Sequence, residues 1–193
     1  MQDYAIGTTP SAYAYPFMIK HLLHTPLAHA PDQEIVYRGQ HRQTYATLTE
    51  RIARLANALS QLGTQQGSTV AVMDGDSHRY LECYFAVPMM GAVLQTIPFT
   101  TKYEVMLAVS TPSYEFPDFD ENTRATTSYT TGTTGLPKGV YFSHRQLVLH
   151  TITVMAALSS PASGQRFHRG DVYIPLTPMF HVHASNGGRG HEH

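Results

Sequence analysis

The chain has 193 residues, 13 Lys and Arg against 14 Asp and Glu, 12 His, one Cys and 42% hydrophobic residues. That is enough for one domain with a buried core, and a formal net charge of −1 without any basic block excludes nucleic-acid binding by phosphate neutralisation. The lone Cys83 excludes an internal disulfide and a multi-thiolate zinc site. No cationic, apolar leader opens the chain, and the longest apolar run, Cys83–Leu94 broken by Pro88, is too short to cross a bilayer; a cytoplasmic setting is expected.

Residues 1–31 are rich in Tyr, Thr, Pro and His and read as a loosely packed lead-in, with a short amphipathic piece at Phe17–Leu23. Arg38-Gly39-Gln40, set between Ile35-Val36-Tyr37 and Thr44-Tyr45, predicts a hairpin. Thr47 and Glu50 have the spacing of a capping box. Leu48, Ile52, Leu55, Ala56, Leu59 and Leu62 follow at helical spacing up to Gly63, a C-terminal stop. Thr69–Met73 reads as a buried strand, Ser77–Met90 as a helix that Pro88 kinks or ends, and Ala92–Ile97 as another strand. Alternation of helix and strand predicts the α/β class, with a mainly parallel sheet under covering helices. Residues 98–128 carry three prolines and an acidic cluster around Phe116 and Phe119; they read as an irregular linker in which only Tyr103–Val109 looks helical.

Residues 129–140, YTTGTTGLPKGV, carry the chemistry. Glycines let backbone N–H groups close around an anion, threonine hydroxyls add donors, and one lysine supplies positive charge. The spacing is neither that of a Walker A loop nor G-x-G-x-x-G. Val140–Phe142 reads as a short strand, and Ser143 with Gln146 as a second capping box; Leu147, Val148, Thr151, Ile152, Met155 and Leu158 then continue a helix. A flexible linker is rarely bounded so tightly by ordered elements. Ser143 beside His144 is a helix cap rather than a nucleophile–base pair. His181, His183, His191 and His193 fit no zinc spacing, so no residue is assigned to a metal. Cys83 reads as a small buried apolar residue.

These twelve residues resemble the phosphate-binding signature of the adenylate-forming (AMP-binding) superfamily, with Thr131 where the pattern usually has Ser. Thr44–Val93 is similar to the family's N-terminal substrate-domain segment. Pro178–His181 is similar to its P-[ML]-[FY]-H motif. Val87–Val93 and Tyr141–His150 look most like medium- or long-chain fatty-acid–CoA ligases. The resemblance implies a partial N-terminal domain of an enzyme that adenylates a fatty acid with Mg-ATP and then transfers the acyl group to coenzyme A. It places Thr130, Thr131, Gly132, Thr133, Thr134, Gly135 and Lys138 on the β- and γ-phosphates. Phe180 and His181 would border the acyl pocket.

Three departures accompany the likeness. The step from Ile97 to Tyr103 is abrupt where family members insert further strand–helix units, which implies an internal deletion. After Ala184 the sequence resembles nothing in the family, and residues 185–193 are expected to be an unstructured tail. The adenine- and ribose-binding motifs and the C-terminal domain with its catalytic lysine have no counterpart in these 193 residues. The expected organisation is an N-terminal α/β segment at 1–97, a linker at 98–128, a phosphate-loop segment at 129–184 and the tail. No catalytic set is complete, so the chain is expected to be inactive alone, a non-catalytic remnant, or dependent on a complementing chain. The low charged fraction, 14%, fits an interior slice of a larger enzyme.

Overall fold

A computed structural model describes residues 9–12, 14–73, 77–97, 103–130, 138–159, 167 and 171–173. A 3-10 turn at Ile19–Leu23 leads into α1 (His24–His29). Strands β1 (Glu34–Tyr37) and β2 (His41–Thr44) pair antiparallel as the sequence predicts. Their turn puts Arg38 at φ 51° and Gly39 at φ 67°, the left-handed pair that matches strand twist in a tight hairpin.

Helix α2 (Tyr45–Gln61) buries Leu48, Ile52 and Leu55, the stripe expected from their spacing. Its start is three residues earlier than predicted. Thr44 is the N-cap and accepts from the Thr47 N–H at 3.2 Å, whereas Glu50 bonds Arg54, so no Thr47–Glu50 box forms. The helix ends where Gly63 takes φ 89°. Strand β3 (Thr69–Met73), α3 (His78–Met89) and β4 (Val93–Ile97) follow. Pro88 sits in the last turn of α3 and does not break it. Gly91 (φ 79°) turns the chain into β4, and a Cβ there would meet Gln66 Cγ at 2.9 Å, so only glycine fits.

Helix α4 (Tyr103–Ala108) is where a helix was expected. The predicted linker 98–128 nevertheless needs correction at its end, because Arg124–Thr130 form strand β5. Its sequence is RATTSYT, with hydroxyls on both faces and no apolar alternation to give it away. Strand β6 (Lys138–Ser143) and α5 (His144–Leu158) complete the described elements. At the start of α5, Ser143 and Gln146 make the predicted reciprocal capping box.

The four-stranded sheet runs β3-β4-β5-β6. The first two pairings are parallel and β5–β6 is antiparallel, so the sheet is mixed but mainly parallel. One face is covered. Helix α3 packs on β4 and β5, α2 on α3, and α4 on α2, around Leu48, Ile52, Leu55, Val87 and Leu94. The lead-in is not loosely packed as expected: Met18, Ile19 and Leu23 are buried, the Phe17 N–H donates to Glu121, and Lys20 pairs with Asp118.

Candidate functional site

The signature segment is built on a hairpin. Strands β5 and β6 pair from Arg124↔Ser143 to Thr130↔Lys138, so the two ends of the predicted phosphate loop stand directly opposite one another. Thr131, Gly132, Thr133, Thr134 and Gly135 lie outside the described residues, as do Phe180 and His181. Thr130 and Lys138 are therefore the two predicted contacts whose backbone position is described.

The edge on which this hairpin opens has a general significance. Because β3, β4 and β5 run parallel, their C-terminal ends share one edge of the sheet. Helix α3 follows β3 there and α4 follows β4. In α/β sheets this edge is the customary ligand-binding end. The loop between Thr130 and Lys138 holds four threonines if Thr130 is included, two glycines and one lysine, with no carboxylate. That donor set suits an anionic polyphosphate.

A network of charges, which the sequence reading did not single out, ties the helices together near this edge. The Glu82 side chain is fully buried in α3 and accepts from Arg51 Nε at 2.7 Å and from the Tyr103 hydroxyl at 2.7 Å. Burial pushes the Glu82 carboxyl up, against the opposing bonds from Arg51 and Tyr103. Burial also pushes the Tyr103 hydroxyl well above its ordinary range. Glu104, at the start of α4, accepts from Arg51 Nη2 at 3.0 Å and Arg79 Nε at 2.9 Å. Its burial opposes ionisation, but Arg79 and Arg51 together hold the carboxyl below the usual range. Helices α2, α3 and α4 are thereby cross-tied through four charges. Residues 51, 82 and 104 are far apart in sequence, and only their charge type on apolar helices could have signalled a link.

His144 and Cys83 take structural roles. His144 is fully buried, its Nδ1 accepting from the Ile19 N–H at 3.3 Å and its ring set edge-on to Phe119 at 4.9 Å. Burial pushes it down to about 4, with the Pro88 backbone acting in the opposite sense. A neutral imidazole whose Nδ1 accepts a backbone proton is a structural post. Cys83 is buried in the core, as expected. A groove of about 400 Å³ lies elsewhere, on the sheet face that none of the described helices covers, between Thr69, Gln95, Arg124, Thr127 and Tyr141. There Arg124 stacks over the Tyr141 ring at 4.1 Å. Among the described residues, no helix is long and apolar enough to cross a membrane.

Comparison with known proteins gives this geometry a context. The profile of the AMP-binding enzymes matches in two segments, residues 23–109 and 100–187. A long-chain-fatty-acid–CoA ligase of Thermus thermophilus is 34% identical over 193 aligned positions, covering 75% of this chain and 35% of the relative. A 3-methylmercaptopropionyl-CoA ligase of Ruegeria lacuscaerulensis is 42% identical over 91 positions, covering 47% of this chain and 16% of the relative. The fold is similar to that of the ATP-bound MatB from Rhodopseudomonas palustris, with a TM-score of 0.74 at 21% identity over 88% of this chain and 42% of that one. The chain thus spans about a third of the length of the long-chain ligase it matches. With profile matches that together run from residue 23 to residue 187, this chain belongs to the AMP-binding enzyme family.

Proposed function

We propose that the chain carries the triphosphate-gripping part of an ATP-dependent acyl-CoA ligase, in an incomplete form. The observation that carries this reading is the β5–β6 hairpin, which sets Thr130 opposite Lys138 at the edge where α/β sheets take ligands. Thr130, Thr131, Gly132, Thr133, Thr134, Gly135 and Lys138 would hold the β- and γ-phosphates and neutralise the departing pyrophosphate. Mg2+ would ride on the phosphates, since the loop offers it no carboxylate. Phe180 and His181 would border a fatty-acid pocket, and coenzyme A would take the acyl group in a second step. A cytoplasmic setting belongs to the same proposal and rests on the single cysteine.

An internal deletion near Ile97–Tyr103 is part of this reading. The alignment with the Thermus ligase runs over 193 positions, yet three quarters of this chain is about 145 residues. About 48 positions of the relative therefore face gaps in this chain. The two profile segments meet at residues 100–109, which supports placing the gap there.

The second reading is a non-catalytic remnant, or one half of a complemented pair, favoured by the one-third coverage of the long-chain ligase. Pyrophosphate exchange into ATP with a panel of fatty acids separates the two. Exchange that disappears in Lys138→Ala supports the ligase. No exchange, with no ATP binding at millimolar concentration, leaves the remnant. Exchange that returns only when a second chain with the family's nucleotide-binding and C-terminal parts is added establishes complementation.

A further inference from the structure

The β1–β2 hairpin is held against the start of α3 by aromatic rings. The His41 and His78 rings stack at 3.7 Å between centroids with planes 20° apart, and Tyr37 leans on His78 at 5.7 Å. The His78 side chain is 9% exposed, with Nε2 3.5 Å from Glu104. Its Nδ1 and the Nε2 of His41 are buried, and neither has a hydrogen-bonding partner among the described residues. Two imidazoles in van der Waals contact are compatible when neutral. When both are charged they repel at short range.

The surroundings cannot absorb that charge. The groups that act on the stack are Tyr37 from β1, Arg51 from α2, Arg79 from α3 and Glu104 from α4; Glu82 and Tyr103 are engaged with Arg51 and with each other. Two guanidiniums already balance the two carboxylates. The hairpin's own Arg42 is paired with Glu34, and Arg38 lies over the Tyr37 ring. A proton on the stack therefore finds no unmatched carboxylate. We propose that the His41–His78 stack is a proton-operated latch, which docks the β1–β2 hairpin on α3 near neutral pH and releases it on acidification. Burial and the neighbouring His41 push the His78 imidazole down, against a weaker opposing bond to Glu104, as a latch that favours the neutral state requires. The sign follows from the lowered value. The docking is complete above the ordinary imidazole range near 6.5 and is lost as pH falls from there through the lower value of the folded protein. The latch is independent of the ligase reading, since it involves none of the signature residues.

Hydrogen exchange at the amides of residues 34–44, corrected for intrinsic chemistry, reads the latch in the full chain. Between pH 7.5 and 5.5 opening should increase relative to the amides of α2, by at most about tenfold for one imidazole site. His41→Phe keeps the ring stack but removes one proton site and the neighbouring charge, and should measurably reduce that rise. A hairpin whose exchange is independent of pH, or a His41→Phe protein with an undiminished rise, overturns the proposal. Should His41→Phe fail to fold, imidazole NMR titration of the wild-type chain decides. A His78 that titrates below 6.5 while the hairpin signals shift in step supports the latch; titration at or above 6.5, or without hairpin shifts, overturns it.

Discussion

The two faces of the sheet are built by different rules. On the covered face, Leu48, Ile52, Leu55 and Leu94 are essentially dry, and the charges that enter this layer come paired, Glu82 with Arg51 and Tyr103. On the other face, Thr69, Gln95 and Tyr141 line an open groove. Helix α5 shows the same contrast on its own two sides: Val148 joins the covered core, while Leu149, Ile152, Met155 and Leu158 point away from it, each between 38% and 60% exposed. The difference teaches where folding energy resides. Apolar side chains of the same type are tightly constrained where they enter the core and nearly idle where they point away from it.

The strongest way to break the contrast is to unpair the buried carboxylate. Arg51→Ala leaves Glu82 in the core without its cation and should cost about 3 kcal/mol or more in a denaturant titration, because a buried charge that loses its partner is heavily penalised. Glu82→Gln, which keeps hydrogen-bonding capacity, should cost less. Matched truncations come next. Ile52→Ala should cost about 3 kcal/mol through lost burial and a cavity, whereas Ile152→Ala on α5 should change stability by less than about 0.5 kcal/mol. Equal losses at the two positions would erase the distinction between core and outward-facing apolar residues.

Acid should act mainly through the covered side. His144 titrates near 6.5 when unfolded and at about 4 in the fold, so its contribution is complete above 6.5 and is lost as pH falls to about 4. That difference is worth about 3 kcal/mol. Protonating Nδ1 would also displace the Ile19 N–H. A His144→Phe protein melted across pH 4–7 should lack this slope. A smaller effect, about 1 kcal/mol, is expected for Ser143→Ala, which removes the α5 cap. Finally, the exposed α5 stripe should promote concentration-dependent self-association in sedimentation, and Ile152→Lys with Met155→Lys should reduce it.

Much of the fold was legible because helices α2, α3 and α5 announce themselves by spacing and caps. The α2 start was displaced because Thr44 and Thr47 are equally good capping residues, and only the β2 path decides between them. Strand β5 was hidden by its hydroxyl residues, which sit between two partner strands that a local reading does not see. The lead-in was misjudged for a similar reason. Phe17 bonds Glu121 and Ile19 bonds His144, partners more than a hundred positions away. At the site, the glycine, hydroxyl and lysine content of residues 129–140 is what motivates the phosphate-binding proposal. What the sequence lacked was the hairpin that brings Thr130 and Lys138 face to face.

One feature of the sheet bears on how this hairpin could be aimed. Among the described residues, strands β3 and β4 share five paired positions and β5 and β6 share six, while the strand pairing between the two ribbons is Leu94↔Thr126 and Gln95↔Thr127, with α3 packed across it. The sheet is thus two firm ribbons meeting at a narrow seam. A small twist about that seam would swing the signature hairpin as a rigid arm, leaving the register that sets Thr130 against Lys138 untouched.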